Sequence, residues 1–270
     1  MDGMNKFNEH IPNIDAYNSA MTKSIIDKIF FMSHVDAEIF IDFGCANGDL
    51  IKLLAMLFPD KQFIGYDISQ EMIKIAMKNN NDIKNVSFTT EWHNIEPFIK
   101  DKKTCLILSS VIHEVYSYGD KDSIKLFWSR VFNTDFDYIV IRDMFYNDYF
   151  DECGYICPSY INKIRLNKKY EKHLNDFEEI YGKISNINKR QYIHYLLKYF
   201  YEENWEREVK ENYLPLSDND LYKIINYHSD KYETLYLNYY TLPYLKHKFK
   251  KDFDIDFNIE THMQIILIKK

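Results

Sequence analysis

Asp42-Phe43-Gly44-Cys45-Ala46-Asn47-Gly48 is the stretch on which the fold of this 270-residue chain turns. An apolar run, Ala37-Glu38-Ile39-Phe40-Ile41-Asp42-Phe43, leads into it, and a helical pattern opens behind it at Asp49. The run is short, rich in strand formers and bounded by glycine, as a buried strand is. From Asp49 to Phe58, residues Leu50, Ile51, Leu53, Leu54, Leu57 and Phe58 form a wide apolar stripe that Pro59 ends. A strand, a glycine turn and a helix N-terminus together bring backbone close to a ligand and point amide N–H groups at it.

A second strand, Gln62-Phe63-Ile64-Gly65-Tyr66, follows and ends in Asp67. Ser69 then reads as the N-cap of an amphipathic helix carrying Met72, Ile73, Ile75, Ala76 and Met77. An acid roughly 20 positions beyond a glycine turn suits a ribose diol, because one carboxylate accepts two hydroxyl hydrogen bonds. A ribose-bearing cofactor is therefore expected. The nicotinamide fingerprint G-x-G-x-x-G fits poorly: the turn is Gly44-x-Ala46-x-Gly48, an acid stands two residues before its first glycine, and no third glycine follows.

At these residues the chain resembles the class I S-adenosylmethionine-dependent methyltransferases, whose usual turn is D-x-G-x-G-x-G. Ala46 stands at the usual middle glycine, a replacement expected to be tolerated if the backbone there keeps a negative φ. The resemblance implies a Rossmann-like α/β fold: a mostly parallel seven-stranded sheet with an antiparallel C-terminal strand and a helical insertion. It continues through a third strand, Asn85 to Thr89, followed by Glu91-Trp92. It then takes in Leu106-Ile107-Leu108-Ser109-Ser110-Val111-Ile112-His113-Glu114, a fifth strand at Asp137 to Asp143 and the C-terminal strand at Thr261 to Lys269. The division implied is an N-terminal helical segment at 1–35, a methyltransferase core at 36–144 and 217–270, and a helical cap inserted at 145–216.

The resemblance further implies S-adenosylmethionine as cofactor, held by Asp42, Gly44, Cys45, Ala46, Asn47, Gly48, Asp67, Ile68, Glu91, Trp92, Ser109 and Ser110. Trp92 reads equally as a core aromatic, and Ser109 and Ser110 as strand terminators. In methyl transfer the sulfonium already activates the methyl group, so the protein must align an acceptor, exclude water and remove a proton where the acceptor carries one. His113 and Glu114 follow the fourth strand directly. His113 is the expected base, its ordinary pKa being suited to neutral pH, and Glu114 the residue that orients it or a substrate hydroxyl. The alternative has His113 bonded to backbone and Glu114 facing solvent.

In the inserted region the best helix spans Arg190 to Glu203, with Ile193, Leu196, Leu197 and Phe200 on one face and Tyr192, Tyr195 and Tyr199 beside it. These tyrosines either set acceptor choice or pack the cap. Trp205 and Tyr213 flank a charged run, and Ser217 with Asp220 resembles a capping box. Ahead of the first strand, Asp15 to Ile29 reads as a helix from which Tyr17 and Met21 reach the cofactor or simply pack.

A net charge of −7 argues against broad binding to polyphosphate backbones. Lys163, Arg165, Lys168, Lys169 and Lys172 cluster locally, as do Lys246, Lys248, Lys250 and Lys251, patterns that solvated helix faces also show. Cys153 and Cys157 form a C-x-x-x-C that lacks zinc-site spacing, so no metal is expected. With no apolar run of membrane-spanning length and no leader, a cytoplasmic enzyme that does not enter a membrane is expected. The expected activity is methyl transfer to a small or medium polar metabolite. Nucleic acid and protein acceptors stay open, as does a catalytically inactive S-adenosylmethionine- or S-adenosylhomocysteine-binding module acting through its cap.

Overall fold

Strand β1 (Ile39–Phe43) delivers the glycine turn to one edge of a seven-stranded sheet. The computed structural model describes Asn13 and residues 24–99, 102–153 and 155–270. Its further strands are β2 (Gln62–Tyr66), β3 (Val86–Thr89), β4 (Thr104–Ser109), β5 (Tyr138–Met144), β6 (Tyr232–Tyr240) and β7 (His262–Lys269). They run in the order β3-β2-β1-β4-β5-β7-β6. The pairs β1–β2, β1–β4, β2–β3 and β4–β5 are parallel, and β7 is antiparallel to both β5 and β6. The order reverses between β1 and β4, which opens a crevice at their carboxyl ends, the ligand position of open α/β sheets.

Both faces of this sheet are covered, so its central strands are apolar throughout. Alternation divides them: Ile39, Ile41, Phe43, Leu106 and Leu108 join one core, while Phe40, Cys105 and Ile107 join the other. Local signals hold at the helix starts. The Ser69 hydroxyl accepts from the Met72 amide ahead of the Gln70–Asn79 helix, and Ser217 accepts from the Asp220 amide ahead of Asp218–Tyr227.

The sequence assigned residues to six strands, and β6 is the seventh. It is an edge strand with a register shift between Thr234 and Tyr236, and its Leu235 and Leu237 are exposed, so no clean alternation marks it. The helix expected over Arg190 to Glu203 runs instead over Lys189–Lys198. Its end is fixed by the buried Lys198 amine, which donates to the backbone carbonyls of Glu208 and Glu211. Tyr192, Tyr195 and Tyr199 pack into a third core with Ile193, Leu196 and Leu197, so this helix is buried nearly all round. The same core takes in Leu245, Phe249 and Phe253 of the Pro243–Phe253 helix, which lies between β6 and β7. Of the N-terminal helix, Ile25–Lys28 is described; Tyr17 and Met21 lie outside the described residues.

Ala46 does not meet the negative-φ condition for easy replacement of a glycine: its φ is +46°, between Gly44 at +80° and Gly48 at +79°. The Ala46 amide donates to Asp67 Oδ2 at 2.9 Å, and this bond holds the left-handed turn in place. A left-handed L-residue costs roughly 1–2 kcal/mol, while glycine adds unfolded-state entropy of about 0.4–1 kcal/mol. Ala46→Gly is therefore expected to stabilise the protein by about 0.5–1 kcal/mol, a rise of about 2 °C in a thermal melt. A fall in melting temperature would show that the turn is not strained.

Candidate active site

The turn residues form the first part of the site. Gly44 and Gly48 are required sterically: a Cβ on Gly44 would lie 2.7 Å from Val111 Cγ2, and one on Gly48 would lie 2.9 Å from Asn80 and Phe88. Asn47 caps the turn locally, donating to Asp49 Oδ2 at 2.9 Å. Asp42, Gly44, Cys45, Ala46, Asn47 and Ser109 line a recess of ≈ 30 Å³. Burial pushes the Asp42 carboxyl up to about 7, although Lys28 opposes this; burial and Arg142 lower the Lys28 ammonium to about 8, with Asp42 opposing. Burial also raises the Cys45 thiol.

Ser109 Oγ is buried and makes no hydrogen bond within the protein, an orphaned polar atom at the recess wall. Asp67 accepts from the amides of Ala46 and Ser69 at 2.9 and 2.8 Å, one on each oxygen, which leaves each oxygen a lone pair. Burial raises its pKa to about 6 against these two bonds. Ile68 packs half-buried against the core beside it.

Trp92 takes the core position, one of its two readings, and Glu91 lies at the surface. The Trp92 ring packs among Phe43, Tyr66 and Phe136 in the core, with Arg130 over it, because the bend after β3 turns it inward. Glu91 is exposed at the strand end, 3.9 Å from His93. Neither lines the recess.

The second part of the site is a cavity of ≈ 110 Å³ between the sheet edge and the inserted helices. It adjoins the recess: Lys28 lines both, and Ser109 and Ser110 line one each. Ser110 adopts φ +59° and accepts from Arg142 at 2.8 Å, while Arg142 also reaches Asp27 at 2.7 Å. Register pairs Ser109 with Arg142 and Asp143 with Met263, which aligns these groups along the carboxyl edge.

His113 is fixed by Asp143, whose carboxylate was not singled out by the sequence. Asp143 accepts from the Ile112 amide at 2.7 Å, the His113 amide at 3.3 Å, the Met144 amide at 2.8 Å and His113 Nδ1 at 2.8 Å. It thereby caps the Ile112–Tyr118 helix and turns His113 Nε2 toward the cavity. Burial disfavours charge on His113, but Asp143, Glu211 and Glu114 outweigh it and push the pKa up to about 9. These neighbours favour the cationic imidazole, so the ring differs from one with an ordinary pKa. Glu114 is half-buried, with its Oε1 3.4 Å from Arg207.

The sequence also missed what the inserted segment contributes. Arg207 lies 2.6 Å from Glu211 Oε1 and 3.3 Å from Glu208 Oε1, and Tyr118 donates to Glu211 Oε1 at 2.8 Å. Tyr213 donates to Glu208. These residues sit in the charged run between Trp205 and Tyr213, where the flanking aromatics were the signal of burial. The cavity tyrosines are Tyr201, Tyr213 and Tyr244, not Tyr192, Tyr195 or Tyr199. Atoms of His113, Glu114 and Glu211 able to ligate a metal lie within 4.8 Å of one another, with Arg207 against both carboxylates. No helix among the described residues is long and apolar enough to cross a membrane.

A family model described as a methyltransferase domain matches residues 34–214. A tRNA (guanine-N(7)-)-methyltransferase of Clostridium acetobutylicum is 26% identical over 140 residues, covering 44% of this chain and 64% of the relative. A trans-aconitate 2-methyltransferase of Acidovorax ebreus is 34% identical over 62 residues, 23% of this chain and 24% of the relative. The chain therefore spans less than two thirds of the length of these curated relatives. The solved structure of PKMT2 from Rickettsia typhi has a TM-score of 0.52 at 12% identity, over 86% of this chain and 48% of that one, a likeness of fold.

The Asp143–His113 pair makes stability depend on pH. His113 has a folded pKa near 9 against an ordinary 6.5, so its contribution is complete below pH 6.5 and is lost as pH rises through 9. Across that window it is expected to reduce unfolding free energy by on the order of 3 kcal/mol. Asp143→Asn is expected to flatten this component. Urea titrations at the two pH values check it, and equal losses in both proteins would refute the pairing.

Proposed function

The chain belongs to the methyltransferase-domain family, within the class I S-adenosylmethionine-dependent superfamily, and from that membership we propose that it transfers a methyl group from S-adenosylmethionine to a small acceptor held beneath the inserted helices. The observation that carries this reading is the cavity of ≈ 110 Å³ that meets the glycine-turn recess at Lys28 and the Ser109–Ser110 step.

Residues lining the recess, and Asp67 bonded to its Ala46 amide, suit the cofactor. Asp67 has one lone pair on each oxygen for a ribose diol, and Asp42 with the unsatisfied Ser109 hydroxyl suits the amino-acid end. S-adenosylmethionine supplies a sulfonium-activated methyl group. His113, held by Asp143, donates from Nε2 to the acceptor atom and fixes its position, while the cavity walls keep water away. Glu114 holds the Arg207 guanidinium at the cavity mouth.

The relatives act, by their names, on tRNA and on trans-aconitate. For this chain the small acceptor is favoured. Its net charge is −7, and the basic residues at 163–172 are engaged: Lys163 with Asp254, Arg165 with Glu178, Lys168 with Glu171, Lys169 with Glu202 and Lys172 with Asp176. Few cations remain there to release counterions from a phosphate backbone.

Calorimetry with S-adenosylhomocysteine tests the premise, and Asp67→Ala is expected to weaken binding at least about tenfold. Labelled methyl groups are then expected in the small-molecule fraction of a cell extract and not in its tRNA. With the acceptor so found, His113→Ala is expected to lower turnover about 100-fold at unchanged S-adenosylhomocysteine affinity. Absence of S-adenosylhomocysteine binding would overturn the assignment.

A further inference from the structure

We propose that Glu211, from the inserted segment, is the proton acceptor for a substrate hydroxyl carried on a benzene-sized apolar body, with that oxygen seated between His113 Nε2 and Glu211 Oε2. This rests on the methyltransferase reading above and names its substrate class.

Glu211 is 1% exposed and lines the cavity. Its Oε1 is occupied by Arg207 at 2.6 Å and Tyr118 at 2.8 Å, while its Oε2 faces His113 Nε2 at 3.9 Å. That gap is too long for a direct hydrogen bond, yet a single oxygen fits within about 2.8 Å of both atoms. The bridging atom faces two different demands. When His113 is cationic its Nε2 donates, and Glu211 in its ionised form accepts. A hydroxyl accepts and donates at once; an ammonium cannot accept, and a carboxylate cannot donate.

The rest of the cavity sets the body of the substrate. Leu197, Leu242, Leu245, Tyr201, Tyr213 and Tyr244 form its apolar wall, while Lys28, Arg142, Asn204 and His262 line part of the remainder. Its ≈ 110 Å³ is of the order of the roughly 150 Å³ apolar cavity known to take benzene. A divalent ion at His113, Glu114 and Glu211 is disfavoured, since the Arg207 guanidinium already brings positive charge to both carboxylates.

In the transfer, an oxygen lone pair forms the O–CH₃ bond and the S–CH₃ bonding pair stays on sulfur as a neutral thioether. The O–H proton passes to Glu211 Oε2. The groups facing Glu211 are His113, Glu114 and Tyr118 from the Ile112–Tyr118 helix, and Lys198, Arg207, Glu208 and Tyr213 from the insertion. Burial, Glu208 and Glu114 lift its carboxyl well above the ordinary range against Arg207 and His113. This strengthens it as a base near neutral pH.

The test uses the full chain saturated with S-adenosylhomocysteine and three probes: phenol, benzylammonium and benzoate. NMR of labelled histidine is expected to show phenol binding at least tenfold more tightly than the other two and shifting the His113 resonance. In Glu211→Gln the preference is expected to vanish and the His113 pKa to fall, with S-adenosylhomocysteine affinity unchanged. With S-adenosylmethionine present, methyl transfer to phenol is expected to fall away at acidic pH as Glu211 protonates. The Glu211→Gln variant should lose this limb and at least 100-fold in rate. Tyr118→Phe, which removes an Oε1 contact and leaves Oε2, controls for structural damage and is expected to keep the binding order. Equal binding of the three probes, a Glu211→Gln rate within threefold of the parent, or loss of phenol binding on EDTA treatment would each overturn the proposal while sparing the methyltransferase reading. Failure to bind S-adenosylhomocysteine would overturn both.

Discussion

The Asp143 carboxylate is the constraint on which the site is built. It is fully buried, and four donors converge on it: two amides at the start of the Ile112–Tyr118 helix, the Met144 amide and His113 Nδ1. A buried charge is tolerable when every lone pair is met in this way. Because Asp143 lies on β5 and the helix follows β4, the carboxylate joins two neighbouring strands at their carboxyl ends. It sets three things at once: where the helix begins, which ring nitrogen of His113 faces the cavity, and the charge that nitrogen carries.

Charge is layered around this point. Arg142, beside Asp143 on β5, is held by Asp27 and Tyr240, and Asp27 also receives Gln264 of β7. The Ile25–Lys28 helix is thereby tied across β5, β6 and β7, and its Lys28 faces both the recess and the cavity. Isolated, each of these ions would cost several kcal/mol to bury; paired, they break even at best. Of these, Lys28 and Arg142 stand where a molecule bound in the recess or the cavity would meet them.

Local signals were legible where local physics decides. The glycine turn and the Ser69 and Ser217 caps depend on neighbours within a few residues, and the structure forms each of them there. β1, β2, β4, β5 and β7 were readable because an interior strand covered on both faces must be apolar along its length, and the edge strand β3 was readable from its short run of strand formers. β6 was not, since an edge strand with a bulge and exposed leucines carries no such demand. Trp92 could be read as core or as contact, because an aromatic after a strand satisfies both, and only packing against Phe43 and Phe136 distinguishes them. Ala46 left its φ open for a related reason. The sequence does not show the bond to Asp67, a residue of the next strand's end, that accompanies its positive φ.

The harder case is the charged run at 206–211, which by composition belongs on a solvated face. Glu206-Arg207-Glu208-Val209-Lys210-Glu211 contains three residues, Arg207, Glu208 and Glu211, that are buried together. They are reconciled with burial by one another, by Tyr118 and Tyr213, and by the Lys198 amine beneath their carbonyls. Arg207 and Glu211 stand four apart, but Tyr118 and Lys198 come from other helices and are not visible at fixed spacing in sequence. The insertion also needs the Pro243–Phe253 helix, nearly thirty positions past its end, to complete its core. A cap assembled from two separate stretches and keyed to the sheet through Glu211 and His113 cannot shift without moving the groups that face the cavity. Its rigidity and the geometry of the site are therefore one property.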